Sequence, residues 1–392
     1  MAQNLKSVSV DVIKLQPKRK NKFNKKLGII ANGDDNDYPT QMELLIGSSV
    51  TAMQCAGIYS KFLRGNGFKK PLGDVVVGQD KNVTVSINKL LKKACVDVSK
   101  QHGVFFHINY NLLGEITSIN HIPFKHCRFG ESDSENYSGK IVVYDNWDYS
   151  KGTKIMTEQF NVIDSFNPNK QVVLHQIELA GGIDKYKGQV FHLFLNDEYH
   201  YPVSLIDVAE KDAYSEYLLS LYKFNILEND FITDRTIFRH NPMEKKDLEK
   251  LKENLRTMKG AKGQGKILLL QDNFDEQLPN GLIKIDKIES GVNDKLFESW
   301  EKSLSNNIRR GFNNVPQILI DEVQGKLGNS SGEAYKEAQR VYNRMTQEDR
   351  DTISEAFEML LSYYDKSIIP VVGEIEIEPF YILDEEAIQQ KN

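Results

Sequence analysis

Cysteine is scarce in this sequence, and what little there is, Cys55, Cys95 and Cys127, is too scattered for a disulfide framework or a CxxC metal knuckle. Each therefore reads as a buried thiol. Long apolar runs are missing as well: no stretch of about eighteen apolar residues occurs, and the N-terminus lacks the apolar core of a signal peptide. The expectation is a protein made and used in the cytoplasm, with no membrane partner. An excess of positive charge is also absent. The 50 Lys and Arg residues are outnumbered by 55 Asp and Glu, for a net charge of -5. That balance excludes a globally basic, groove-filling nucleic-acid binder, which needs a phosphate-neutralising surface.

What is present has the proportions of an ordinary soluble protein, 40% apolar and 27% charged. At 392 residues the chain exceeds what one core usually serves, so two or more structural regions are expected. Charge is unevenly placed. Lys14 to Lys26 carries seven basic residues and no acidic one, whereas Glu374 to Glu386 carries six acidic and no basic ones. A solvated terminus accounts for either run.

Along the chain, the turn-rich NGDDNDYP precedes apolar residues Met42, Leu45, Ile46, Val50, Met53, Ala56 and Phe62 at helical steps, predicting a helix from about 40 to 63 that stops at RGNG. A second helix is predicted from Ser86 to Lys100. From Val104 the pattern turns to strands. VFFHINYN, a turn at Leu113-Gly114 and EITSINHIP form a hairpin, and KIVVYDNW, QVVLHQI and GQVFHLFL supply more strands of an antiparallel region reaching Leu195.

Val203 to Asn229 then runs without Pro or Gly, with a stripe of Ile206, Ala209, Ala213, Tyr217, Leu221 and Phe224 flanked by Tyr214, Leu218 and Tyr222. As one helix it would reach about 40 Å, the length of a strut. An insert from Asp230 to Gly291 follows, with predicted strands at RTIFRH, KILLL and LIKIDKI and a charged helix from Glu244 to Met258. A second long helix carries a seam of Leu296, Trp300, Leu304 and Ile308 and ends at Gly311. Beyond PQILI, the polar segment from Gln324 to Ser331 cannot bury itself and reads as a surface loop between firm elements. Ser330 with Glu333 fits a capping box for a helix whose stripe begins at Ala334, Ala338, Val341 and Met345. A bend or new start is expected near Thr346, itself cappable with Asp349.

Chemical motifs are few. GAKGQGK, from Gly260 to Lys266, lacks the Ser or Thr that must follow the lysine of a phosphate-binding loop, and it leaves a helix to enter a strand, so nucleotide binding is not expected. Its lysines belong to a basic stretch, Lys245 to Lys266, that is either a solvated face or a docking surface. His107, His121, His126 and Cys127 fall on strands where neighbours diverge, so no metal site is expected. Asp34, Asp35 and Asp37 lack the rest of a calcium loop. No catalytic triad or carboxylate pair is legible, and neither an enzyme nor a cofactor is expected.

GDDNDYP with its helix to RGNGF, YPVSLIDVAEKDAYSE, NDFITDRTIF, LFESWEKSLSNNIRRGFNNVPQILI and GNSSGEAYKEAQRVYN stand in an order that resembles bacteriophage portal proteins, especially the compact portals of tailed phages with an HK97-like capsid. The GDDNDYP style and the HINYNLLGEITSINHIPF hairpin resemble portals from phages of Bacteroidetes-type hosts. The resemblance covers roughly Gly33 to Asp365 and implies an α+β chain: a β-rich wing (residues 1–202), stem helices (203–229 and 292–312), a small α/β clip (230–291), a tunnel loop region (313–331), and a wing helix with a C-terminal tail (332–392). It further implies a homo-oligomeric ring of about a dozen subunits at one capsid vertex of the virion, packaging and ejecting double-stranded DNA. Terminase large subunit, head-tail adaptor and major capsid protein are the implied partners. Gln324, Lys326, Asn329 and Ser330 would face DNA, Lys259, Lys262 and Lys266 would face terminase or adaptor, and Leu296, Trp300, Leu304 and Ile308 would pack the stems. A different head-tail adaptor or minor capsid scaffold would share mixed α/β regions without paired stems, and a cytoplasmic nucleic-acid enzyme would use acidic residues not legible here.

Overall fold

In the computed structural model, which describes residues 22–130, 139–147, 155, 157–196, 199–228, 236–240, 244–257, 267–271, 283–287, 294–321, 329–366, 369 and 375–380, strands β1 (Phe23–Asn24) and β2 (Ile29–Ile30) pair just ahead of the GDDNDYP run. Asn36 sits in the left-handed region at φ 57°, and its side-chain oxygen accepts from the Asn32 amide at 3.0 Å and from Arg128 Nε at 2.6 Å. This local bonding is what Asn contributes to turns. Helix α1 (Tyr38–Ser48) starts at once, with a proline in its first turn where a missing N–H costs nothing.

The single helix expected over 40–63 is two. Ser49 is extended at φ -104°, ψ 121°, and its hydroxyl accepts from the Ala52 amide at 3.0 Å, so α2 (Val50–Arg64) begins with its own cap. Strands β3 (Val76–Asp80) and β4 (Val83–Ser86) form a hairpin that the sequence reading did not anticipate, and Ser86 caps α3 (Ile87–Gln101), the helix expected over 86–100. Then β5 (Gly103–Tyr110) and β6 (Ile116–Ile122) make the expected hairpin.

β7 (Cys127–Phe129), β8 (Lys140–Val143) and β9 (Asn161–Ser165) extend the sheet. QVVLHQI is not a strand. It lies in α4 (Lys170–Ala180), because Asn169 caps the Gln171 amide at 3.0 Å and Val173 and Ile177, one helical turn apart, are its buried residues. With β10 (Gln189–Phe194) the sheet runs β6-β5-β10-β9-β8-β7, antiparallel except at β10–β9.

Alternation along the sheet puts apolar clusters on both of its faces. Val104, Phe106 and Ile108 of β5 and Phe191 of β10 face a large cluster with α2, α3 and Phe357, whereas Phe105, Val190, Ile163 and Ile141 face a smaller one with Phe124, Cys127 and Tyr201. Burial of these apolar groups is the main stabilising term.

The strut expected over 203–229 starts as a 3-10 turn at Leu205–Ala209 and becomes α5 only at Glu210–Glu228. Its 19 α-helical residues rise about 28 Å, less than one helix over the whole span would. The insert holds β11 (Thr236–His240), α6 (Lys245–Thr257), β12 (Ile267–Gln271) and β13 (Ile283–Lys287), with β11 central, parallel to β12 and antiparallel to β13. Helix α7 (Asp294–Gly311) returns alongside α5.

Helices α8 (Asn329–Met345) and α9 (Gln347–Ser362) complete the order, and they meet at the anticipated break. Thr346 does not cap it: its hydroxyl donates back to the Tyr342 carbonyl at 3.0 Å, a bond that competes with capping. The acidic terminal run is not wholly solvated either. Ile375 and Ile377 are buried, and Glu378 pairs with Gly67 across the RGNG turn. A Cβ on Gly65 would stand 1.9 Å from the Glu378 carbonyl, so the turn must be glycine for the strand to close on it.

Candidate assembly interface

Helix α5 is tied to the start of α2 by a carboxylate. Glu216 on α5 accepts from the hydroxyl of Ser49, from Thr51 Oγ1 at 2.6 Å and from the Thr51 amide at 3.3 Å, placing negative charge at the start of α2. A helix N-terminus favours an anion there. Between the stem helices, Asn307 donates to Asp212 at 3.0 Å, Lys223 pairs with Glu301, and the rings of Tyr222 and Phe297 lie 5.6 Å apart. Gly311 lets the end of α7 approach the 3-10 turn, since a Cβ there would be 3.3 Å from the Leu205 carbonyl.

Burial divides the stem lengthwise. On α5, Ile206 and Ala209 of the preceding turn and Ala213 are buried, but Tyr214, Tyr217, Leu218 and Phe224 are exposed, Tyr214 to 54%. On α7 the expected seam splits in the same way. Ile308 is fully buried within its own subunit beside Phe312 and Val315, Leu304 is half-buried, and Trp300 is 45% exposed. Leu296 lies in the first turn of α7, and its side chain falls outside the description. Ile308 is thus spent on the subunit's own core, and Trp300 remains with the α5 aromatics on the surface.

The segment leading to the predicted tunnel loop is rigidly seated. Asn313 and Asn314 both take φ 53°, a left-handed pair that Asn tolerates better than most residues, and Val315 is buried behind them. Asp349 of α9 accepts from Tyr59 at 2.6 Å and from Asn313 at 3.4 Å, while the Tyr342 hydroxyl donates to the Phe312 carbonyl at 3.0 Å. Burial, reinforced by Asp349, pushes the Tyr59 phenol well above its usual range, so it stays a donor. Buried Arg350 donates to the Phe62 carbonyl at 3.1 Å and to the Asn343 carbonyl at 3.3 Å, linking α2, α8 and α9.

Of the predicted loop residues, Asn329 and Ser330 are in the first turn of α8, so Ser330 is inside the helix and not its cap; Gln324 and Lys326 fall outside the described residues. Lys259, Lys262 and Lys266 of the insert fall outside them too. Helix α8 also turns its face: Gln339, Tyr342, Asn343 and Thr346 point inward, leaving Val341 and Met345 exposed. The sequence reading missed Glu216, Asp349 and Arg350 as tethers, and only the polar Ser48-Ser49 step amid an apolar stripe signalled the break that Glu216 serves.

Among the described residues no group of three or more His, Cys, Asp or Glu is placed to hold a metal. His121 bonds Asp97 at 2.8 Å, and the carboxylate also accepts from the Phe124 amide at 2.9 Å, a structural arrangement inside the wing. Nor is any helix among them long and apolar enough to cross a membrane.

No protein-family model and no curated protein sequence matches the chain. Solved structures do. A chain from the virion of a native gene transfer agent particle superposes with TM-score 0.52 at 12% identity, over 91% of this chain and 86% of that one. Chains from the neck of the same kind of particle agree: TM-score 0.52 at 13% identity for an empty particle computed with C6 symmetry (91% and 87% covered), and 0.51 at 13% for a native particle computed with C12 symmetry (90% and 87%). An HK97 family phage portal protein from Corynebacterium diphtheriae lies further off, at TM-score 0.41 and 9% identity over 76% and 83%. The fold is therefore an α+β fold shared nearly end to end with a component of gene transfer agent particles.

Proposed function

We propose that the chain is the subunit of a portal ring at one vertex of a phage-like capsid, through which double-stranded DNA is packaged and later ejected. The observation that carries this reading is the stem itself. Two adjacent helices bury their inner contacts, yet leave Tyr214, Tyr217, Leu218 and Trp300 exposed, an apolar face that neighbouring copies would cover. The likeness to a chain of a neck resolved with twelvefold symmetry supports the same assembly.

In this reading residues 203–229 and 292–312 are the stem, 230–291 the clip and 313–331 the tunnel loop region, with the wing on either side in sequence. Gln324 and Lys326 face the channel, with Asn329 and Ser330 at the helical end of that loop. Lys259, Lys262 and Lys266 meet acidic surfaces of the terminase large subunit and then of a head-tail adaptor. The wing contacts the major capsid protein. A chain with net charge -5 suits a conduit, because little net attraction to phosphate holds back moving DNA. The role is structural and needs no catalytic group.

The test is particle shape and mass. Purified protein imaged in negative stain should give hollow rings of about a dozen subunits. Compact monomers at every concentration would overturn the proposal.

A further inference from the structure

Residues 44–60 contain no Asp, Glu, Lys or Arg, in a chain that is 27% charged. The span forms the elbow between α1 and α2, and half of it faces water. Leu44, Val50 and Met53 are 68%, 69% and 63% exposed, the highest values among large apolar residues on these helices. Gly47 and Gly57 are exposed beside them, and a Cβ added at either meets nothing within 4 Å. A mid-helix glycine such as Gly57 lowers helix stability relative to alanine. An uncharged, knobbly face with hollows at its glycines is built for packing, not for solvation.

A second unpartnered face lies on α8. Its inward side is the polar one, so the stripe of Ala334, Ala338, Val341 and Met345 lies along its flank, Ala334 and Ala338 half-buried and Val341 and Met345 exposed. Charge distinguishes the two faces. Arg344 borders the α8 stripe, whereas Asp321 borders the groove of about 590 Å³ that runs from Val50 to Leu219 and Ser305 beside the elbow. Both charges are exposed, and among the described residues neither forms an ion pair. A closed ring needs two different, complementary faces on each chain, not one self-complementary patch.

We infer that the α8 stripe of one copy packs on the α1–α2 elbow of the next, Val341 and Met345 filling the hollows at Gly47 and Gly57 and Arg344 approaching Asp321. This rests on the ring proposed above and assigns its wing-level contact. The elbow also adjoins the stem through Glu216, so the contact continues the apolar face of α5.

Disulfide trapping in the full chain tests it. The native thiols are all buried, so exposed cysteines introduced by Met53→Cys and Val341→Cys report alone. Mild oxidation of the double variant should give a covalent ladder of multimers, and each single variant should stay monomeric on a denaturing gel. Dimers from a single variant would mean a self-complementary contact and overturn the inference. So would wild-type-like rings in the double variant with no ladder, which leaves the ring reading standing. Absence of rings from wild-type protein would defeat both. Gly57→Lys gives an independent check whose two readouts move in opposite directions. It should raise the melting temperature of the isolated subunit while raising the concentration for half-assembly at least about tenfold; unchanged assembly would overturn the contact.

Discussion

Replacing Glu216 with alanine should loosen the stem from the wing by a calculable amount. The carboxylate accepts hydroxyl protons from Ser49 and Thr51 and one amide proton from Thr51, and it sits at the start of α2. A hydrogen bond to a charged group contributes about 1.5 kcal/mol or more when buried, and the half-exposed site brings each hydroxyl bond nearer to 1 kcal/mol. The interaction with the helix end adds roughly 0.5 kcal/mol. Glu216→Ala should therefore cost about 2–3 kcal/mol, and Glu216→Gln, which keeps an acceptor oxygen, about 1 kcal/mol. Urea unfolding followed by circular dichroism measures both, provided the slope is unchanged. Combining Glu216→Ala with Thr51→Val isolates the pair, and a coupling of about 1 kcal/mol is expected. A loss under about 0.5 kcal/mol, or an additive cycle, would refute the reasoning.

Trp300→Asp changes an exposed residue, so subunit stability should move by less than about 0.5 kcal/mol while ring assembly, read by light scattering after gel filtration, is lost; normal rings would remove the stem-packing role. Cys55 and Cys95 are pushed up to about 12 by burial, and Cys127 is raised by the same cause. A raised value keeps the thiol protonated, so at pH 8 only on the order of one in 10⁴ of the Cys55 and Cys95 groups is thiolate. All three should resist a thiol reagent until the protein unfolds, and a single thiol reacting at the rate of free cysteine would contradict the packing. Shortening Gln324–Gly328 to two glycines spares α8 and removes no described core residue, so rings should form but particles should retain less DNA. Lys326→Glu should do less, since it removes one electrostatic contact among many. Full-length, stably held genomes in the deletion would exclude this loop from the channel.

The order of elements was legible because most of it rests on local chemistry. The helix from Ser86 and the turn at Gly114 were read correctly, and the insert's strands read directly from RTIFRH, KILLL and LIKIDKI. QVVLHQI failed because paired valines imitate a strand, and the period that decides, Val173 to Ile177, is a single step. The α8 face failed for a different reason. Apolarity predicts the inward side only when burial is apolar, and here Tyr342 and Asn343 are drawn inward by the carbonyls of Phe312 and Phe380, acceptors that sequence cannot locate. Glu216 and Asp349 were invisible for the same reason, their partners lying 165 and 290 residues away.

These long-range polar tethers and the exposed aromatics belong to one arrangement. One end of the α5–α7 pair is fixed by Glu216, Ile308 and the Phe312–Tyr342 bond, so both helices leave the rest of the subunit in a set direction. Farther out, the two helices meet through Tyr222 with Phe297 and Lys223 with Glu301. Exposed ion pairs of that kind contribute about 0–1 kcal/mol, too little to hold two helices whose aromatic residues face water. Direction is therefore encoded in the subunit, and in the proposed ring the rigidity of the outer parts of α5 and α7 would come from the copies on either side. Such a ring, stiffened only on closure, would assemble from soluble parts and still resist the passage of a stiff duplex.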